Sequence, residues 1–420
     1  MSRTTGISPH RSLPIVAAGA MLALLAACSS NASGGTSGSD AKSGNAPTGS
    51  TVLIGDITSE GTPVENQPNA VAGVKAAILA LNAAGGIGGH KVALDYCNPS
   101  SNANQAAACA RQMVSDKVIA VTGDEILTAD IDPILEAAKI PQVGFLPVSA
   151  GDFTDSNSFL FDAGPVSGSA AAIQYYAQHG GKNLYLAYTD VPTLATAGAI
   201  AKATAAATHL TYSGDLPISA TATDLSPDVV NIKDSAAAGV MLLLGTDELD
   251  LLIRTAGQTG VTGKTYLTTG SDVAQSDVDS WGQLAGDVLY GQPMPPLSAA
   301  SNIPGMQEFL ANMQAEANSG DSSAARSSID QGTLEGWLAV RTIAKIIPAH
   351  AATVTASTVM AALDSAKNIN MGGLIPPWTP TKPGPTTAPR VSNTYMWVVK
   401  VNGTTPVLAQ STEINTATLP

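Results

Sequence analysis

The chain is poor in aromatic rings, in charge and in cysteine. Of its 420 residues, 4% are aromatic, 13% are charged and three are cysteines. So few rings argue against a sugar-binding platform, which works by stacking. The charge that is present is acidic, 33 Asp and Glu against 20 Lys and Arg, for a formal net charge of −13. That balance excludes a nucleic-acid partner, whose phosphates need a basic face. It also disfavours electrostatic adhesion to an anionic membrane. The five histidines, His10, His90, His179, His209 and His350, never fall three to five residues from one another or close to a cysteine. Spacing therefore offers no zinc site, and neither a metal nor another cofactor is expected. No Gly-x-Ser-x-Gly elbow occurs. The adjacent acids Asp247 and Glu248 have no sequence context that makes them glycosidase catalysts. The run Gly85-Gly86-Ile87-Gly88-Gly89 follows a helical pattern and precedes a strand, the reverse of a phosphate-binding loop, and reads as a helix stop and turn. No catalytic residue is expected.

Long apolar runs are also missing. The stretch from Leu13 to Ala27 is too short to span a bilayer comfortably and is interrupted by Pro14. Preceded by Arg3, His10 and Arg11, it reads as an export signal over residues 1–27. Its end, Leu25-Ala26-Ala27-Cys28, resembles the bacterial lipoprotein signal in which the cysteine receives a lipid and becomes the new N-terminus. Residues 28–50 are then Ser, Gly, Asn, Ala and Thr with little to bury, the composition of a flexible tether. These features place the protein on the extracytoplasmic face of a cell membrane, held by lipid at Cys28.

What is present, with 44% apolar residues, is enough for a sizeable core. From Thr51 onward, short apolar runs alternate with amphipathic stretches. TVLIGDIT, HKVALDYC, VIAVTG and PQVGFLP read as strands. Between them, Val71, Val74, Ile78 and Leu81 mark a helix over Asn66–Asn82, and IDPILEAAK marks another. Ser101 is a candidate N-cap for a helix reaching Asp116. A second series follows: FLFDAG, a helix from Gly168 to His179, NLYLAY, a helix from Thr196 to Thr208, AGVMLLLG, a helix from Asp247 to Thr259, and KTYLTTG. Helices return at Pro304–Ala317, Asp330–Ile347 and Ala356–Lys367. Ile375–Pro389 is proline-dense and irregular, and TYMWVVKV is a last strand. Such alternation predicts an α/β fold with two mostly parallel sheets. Ligands sit at the carboxyl ends of parallel strands, so two facing lobes can close on a small molecule. Outside the cytoplasm cysteines can oxidise. Cys97 ends a strand and Cys109 lies on the next helix, so a disulfide between them is expected.

Several stretches resemble the extracytoplasmic solute-binding proteins of the leucine and branched-chain amino acid type that serve ABC importers. They are LIGDITSEG, AVAGVKAAILALNAAGGIGGHKV with Gly73, Asn82, Gly85 and Gly86, VIAVTG with IPQVGF, LLIRTAGQTGV and PRVSNTYMWVVKVNG. The resemblance implies two Rossmann-like lobes of the periplasmic binding protein-like I fold, joined by three crossings near Gly164–Pro165, Gln292–Pro296 and Ile375–Pro389. It implies a first lobe of residues 51–164 plus 297–388 and a second of 165–296 plus 389–415. It also implies a small-molecule solute as ligand, an ABC permease and its ATPase as partners, and a monomer.

By the same resemblance the ligand contacts fall at Asn66, Thr128, Ser149, Thr193 (or its neighbour Leu194), Thr246 and Asp272. Ser149 and Asp272 keep the family's chemistry, a hydroxyl for the ligand's charged ends and an acid for its ammonium. Asn66, Thr193 and Thr246 stand where the family places aromatic rings. Asp124 and Glu125 near the carboxylate-binding loop would repel a ligand carboxylate. A small polar solute, amino acid-like or amide-like, is therefore expected, and a cationic or polyhydroxylated amide-like one fits equally well. A ligand sensor on the same fold and a secreted enzyme are the competing readings.

Overall fold

The computed structural model describes residues 46–417, apart from 64, 124, 125, 127–130 and 272. The expected export signal, Cys28 and all but the last residues of the expected tether lie outside the described residues, as do Thr128 and Asp272.

The first sheet takes its strands from the first third of the chain. In order along the sequence these are β1 (Gly49–Ile57), α1 (Pro68–Ala83), β2 (His90–Cys97), α2 (Ala103–Asp116), β3 (Ala120–Thr122), α3 (Asp132–Ala137), β4 (Gln142–Val143), α4 (Ala150–Thr154) and β5 (Ser158–Phe159). The strands pair in parallel in the order β2-β1-β3-β4-β5. The chain then builds α5 (Gly164–Gln178), β6 (Asn183–Thr189), α6 (Pro192–Ala207), β7 (Thr211–Ile218), α7 (Ser226–Asp234), β8 (Gly239–Leu243), α8 (Thr246–Gln258), β9 (Thr265–Thr269), α9 (Gln275–Ser280) and β10 (Val288–Gln292). Helices α10 (Pro304–Asn318), α11 (Gln331–Ile346) and α12 (Ala356–Ser365) follow, and the chain ends with β11 (Tyr395–Asn402), β12 (Thr405–Leu408) and β13 (Ile414–Asn415). The second sheet runs β12-β11-β10-β9-β8-β6-β7, with β13 also paired to β11. Its β7-β6-β8-β9-β10 portion is parallel and repeats the order of the first sheet. The β11 and β12 strands extend it antiparallel. This is a two-lobe α/β fold with parallel sheets.

Each sheet is buried on both faces, which is why its strands read as apolar runs. In the first lobe Ile54, Val92 and Ile119 pack with Val74 and Ile78 of α1 and Leu338 and Val340 of α11. The opposite face sets Ile57 and Val121 against Cys109, Met113 and Leu135. In the second lobe Val240, Leu242 and Tyr266 meet Leu252 and Ile253 of α8. Across that sheet, Leu184, Leu186 and Met241 meet Ile173 of α5 and Ala201 and Ala205 of α6.

Many helices start with proline, whose missing N–H costs nothing at that position. α1, α5, α6 and α10 all do so. Hence α1 begins at Pro68 rather than Asn66, and α6 at Pro192 rather than Thr196. Asn102, not Ser101, caps α2, its side chain accepting from the N–H groups of Asn104 and Gln105. Cys97 and Cys109 are bonded, with Cα atoms 5.6 Å apart. The bridge ties the end of β2 to α2 and so holds the intervening turn.

The chain passes between the sheets three times, after β5, after β10 and between α12 and β11. The last passage is fastened to the first. The indole N–H of Trp378 reaches both the Leu160 carbonyl (3.0 Å) and the Ser392 hydroxyl (2.9 Å). Its ring meets Phe161 edge-on at 4.9 Å. Arg390 donates to the Ser158 carbonyl at 2.6 Å and lies over the Phe159 ring.

Helices α1 and α11 touch backbone to backbone. A Cβ placed on Gly73 would stand 2.1 Å from the Thr333 carbonyl oxygen. The buried Asn69 side chain donates to Thr333 Oγ1 at 2.9 Å in the same contact. Gly73→Ala would gain about 1 kcal/mol from helix propensity alone. Overpacking at this contact should reverse the sign, for a net loss of about 2 kcal/mol. Urea unfolding checks this; an unchanged or raised midpoint would contradict the packing described.

Candidate functional site

In both sheets the strand order turns back beside the first strand, between β1 and β3 and between β6 and β8. Chains leaving those carboxyl ends diverge and open a crevice, where ligands of open α/β sheets bind. Here the two crevices face the same gap. Asn66, on the loop after β1, donates from Nδ2 to both carboxylate oxygens of Asp247, at 3.3 and 3.4 Å, in the first turn of α8. Ser149, after β4, lines one cavity with Thr193 and Leu244 of the second lobe.

Two of the chambers bordering the gap hold the described residues expected at the site. The hinge-side chamber encloses about 280 Å³. The first lobe and the crossing contribute Val148, Ser149, Ala150, Phe153, Thr154, Pro165 and Val166 to it. The second contributes Ser169, Thr193, Leu194, Thr196, Ala197, Ile200, Leu243, Leu244 and Thr269, and Thr387 comes from the last crossing. The second chamber, about 320 Å³, is polar and includes Asn66, Asn69, Thr246, Asp247, Asp277 and Asp330. So the structure brings Ser149 and Thr193 together in one chamber, and Asn66 and Thr246 in the other.

The loop carrying Asn66 is held from below. Asn66 Oδ1 accepts from the Gly61 N–H at 3.0 Å. Glu60 N–H donates to Asn98 Oδ1 at 3.1 Å, and the Asn98 amide returns a bond to the Glu60 carbonyl. The Thr62 hydroxyl meets that of Ser101 at 2.5 Å. Asn98 and Ser101 belong to the turn closed by the Cys97–Cys109 bridge, so the disulfide supports the rim of the gap.

Ser149 is the N-cap of α4. Its Oγ accepts the Asp152 N–H at 3.1 Å and donates to Asp132 Oδ2 at 2.7 Å. Asp152 in turn accepts from the N–H groups of Val148 (2.7 Å) and Ser149 (2.6 Å). Burial, and then the neighbouring Asp132 charge, hold the Asp152 carboxyl well above the usual carboxylate range. Gln142 donates to the other Asp132 oxygen. In the second lobe, the buried Glu248 at the start of α8 accepts from Thr189 at the end of β6. Burial raises its pKa as well.

Sequence reasoning did not find Phe153, Val166, Ser169, Ile200, Leu243, Leu244 or Thr269. The available signal was positional: Leu243, Leu244 and Thr269 close the two apolar runs AGVMLLLG and KTYLTTG. Among the described residues no group of His, Cys, Asp and Glu is arranged to hold a metal ion, and no helix is long and apolar enough to cross a membrane.

Comparison with known proteins agrees with this geometry. Residues 51–405 match the family described as periplasmic binding protein. The chain belongs to that family, which is one of binding proteins and not of enzymes. Solved structures share the fold at low identity. A solute-binding protein of an ABC transporter from R. palustris, in complex with 4-hydroxybenzoate, is 19% identical with a TM-score of 0.70, over 87% of this chain and 97% of that one. A fatty acid ABC transporter substrate-binding protein from Thermomonospora curvata is 14% identical with a TM-score of 0.72, over 89% and 95%. A branched-chain amino acid ABC transporter protein from Thermus thermophilus with bound valine is 12% identical with a TM-score of 0.72, over 87% and 96%. No curated protein matches the sequence.

Asp56, at the end of β1, is fully buried. It accepts the Thr58 hydroxyl at 2.5 Å, and its second oxygen has no hydrogen-bond partner among the described residues. Burial, reinforced by Glu60 and opposed by the Thr58 bond and Lys75, raises its pKa from 3.8 to about 7. The fold thus prefers the protonated acid. The stability this contributes is complete below the unfolded value and is lost as pH rises through about 7. Asp56→Asn cannot ionise, so between about pH 5 and about pH 8 it should gain on the parent by roughly 3 kcal/mol. Urea midpoints at both pH values measure this, and a constant difference would contradict it.

Proposed function

We propose that this protein captures a small solute in the gap between its two lobes and delivers it to the membrane permease and ATPase of an ABC importer. One observation carries the reading. The carboxyl ends of two sheets with the same strand order border one chamber, and residues of both lobes line it. A ligand touching both walls favours the closed arrangement by its differential contacts. The three crossings are the natural hinge, dividing residues 51–164 plus 297–388 from 165–296 plus 389–415. The protein acts as a monomer tethered outside the cell by lipid on Cys28, with residues 28–50 as the leash.

The solute itself is small. Relatives carry 4-hydroxybenzoate or valine, compounds of the size that the hinge-side chamber holds. Its apolar lining shifts the expectation from a strongly polar solute toward one with an apolar body. Ser149 and Thr193 contact it at this chamber and Asn66 and Thr246 act at the mouth, while Asp272 and Thr128, outside the described residues, are kept as ligand contacts by the resemblance alone.

A thermal-shift panel of amino acids, aromatic and aliphatic acids, alcohols, amines and short amides tests the reading, since ligands of the folded state raise Tm by mass action. Ala197→Phe fills the chamber from the second lobe and should abolish the shift given by the best compound. Small-angle scattering of the parent with that compound should show a smaller radius of gyration. A shift that survives Ala197→Phe would contradict binding between the lobes.

The anchor is tested separately. Expressed from its full-length reading frame with a radiolabelled fatty acid, the parent should carry label in the membrane fraction. Cys28→Ser should be unlabelled and released. Equal labelling of the two would remove Cys28 as the lipid site.

A further inference from the structure

We infer that the solute presents a hydrogen-bond donor, a hydroxyl or an amine, on a compact apolar body and carries no carboxylate. This rests on the reading that the hinge-side chamber is the solute site, and it follows from where the protons of that chamber's hydroxyls go.

A hydroxyl has one proton to give and two lone pairs to offer. Four of the lining hydroxyls have already spent the proton on the protein. Ser149 donates to Asp132 Oδ2 at 2.7 Å. Thr154 donates to the Ala150 carbonyl at 3.0 Å, Ser169 to the Pro165 carbonyl at 2.9 Å and Thr196 to the Pro192 carbonyl at 3.0 Å. Toward the chamber they present lone pairs. The lobe-1 wall has also consumed backbone donors: the N–H groups of Val148 and Ser149 both point to Asp152, and that of Asp152 to Ser149. The two long helices that begin at the chamber, α5 and α6, each lose one first-turn N–H to proline, at Pro165 and Pro192.

The lining adds no cation. Its described residues include no Lys, Arg or His. Behind Ser149 lie two acids, Asp132 and Asp152, both buried. A carboxylate entering here would shed water and meet lone pairs and like charge, a combination that disfavours an ion. A ligand O–H or N–H meets the complementary arrangement: acceptors at fixed positions within an apolar wall of Phe153, Val166, Leu194 and Ile200. This wall is the opposite of an amino acid carboxylate clamp, although Ser149 occupies the position that the resemblance assigns to one.

The test uses matched pairs with one body and different heads: benzyl alcohol and benzylamine against benzoate, and cyclohexanol and cyclohexylamine against cyclohexanecarboxylate. Binding to the mature protein is measured by titration calorimetry and thermal shift. The alcohols or amines should bind at least about tenfold more tightly than the carboxylates. Ser169→Ala removes one buried acceptor from the helix α5 wall without adding bulk, and should weaken the donor series severalfold. Asp132→Asn offers an amide N–H to Ser149, turns its hydroxyl toward the chamber and should raise carboxylate affinity relative to the alcohols. Carboxylates that bind the parent as tightly as the alcohols, and lose binding in Ala197→Phe, would overturn the donor inference while leaving the site intact. Binding indifferent to Ala197→Phe, or no binding by either series, would overturn the site reading and this inference with it.

Discussion

The Trp378 indole N–H, reaching the Leu160 carbonyl and the Ser392 hydroxyl, joins the last crossing between the lobes to the first. Every other feature of the site depends on such fastening. Two parallel sheets can only share a ligand if their carboxyl ends stay aimed at each other, and among the described residues no strand runs from one sheet into the other to enforce this. The crossings do it instead. Proline-rich backbone limits how Ile375–Pro389 can bend. Trp378 and Arg390 anchor it against Phe159, Leu160 and Phe161. The lobes keep a common axis while the distance across the gap is left to weaker contacts such as Asn66 with Asp247. An exposed contact of that kind contributes little on its own, which suits the opening and closing proposed for the gap.

The chemistry of the gap is set one layer below its surface. Asp132 and Asp152 face no solute directly, yet they decide which way the Ser149 hydroxyl points. The same holds at the rim, where Cys97–Cys109 steadies the turn that steadies the loop of Asn66. Buried acids recur at strand ends. Asp56 and Asp162 are both pushed up to about 7 by burial. Their cost is tolerated because the acids are protonated or hydrogen-bonded, as Asp162 is by the Gly164 N–H at the first crossing.

Much of the fold was legible because buried strands and small-residue helices leave strong patterns. Val71, Val74, Ile78 and Leu81 predict α1, and all four are buried. AGVMLLLG predicts β8, the strand flanked on both sides within its sheet. What did not show has physical reasons. β7 is an edge strand whose residues alternate in exposure and whose run is broken by Gly214, which weakens strand propensity, and by Pro217, tolerated because the strand is at an edge. β10 contains Gly291, where a Cβ would come within 2.0 Å of the Gly168 carbonyl oxygen, so its sequence answers to helix α5 and not to strand propensity. The site was legible only in part. Ser149 and Thr193 do line one chamber. Yet the lining is assembled from segments as far apart as Val148 and Thr387, and periodicity says nothing about which helix faces meet across a gap. The direction of the Ser149 hydroxyl depends on Asp132, seventeen residues earlier, and no local pattern marks that pairing.

Hydrogen exchange with and without the best-binding compound tests the central claim most directly. If the solute is held between the lobes, protection should rise together in Val148–Thr154 of the first lobe and Pro192–Ile200 of the second. Protection confined to one lobe, or appearing away from both segments, would contradict the account.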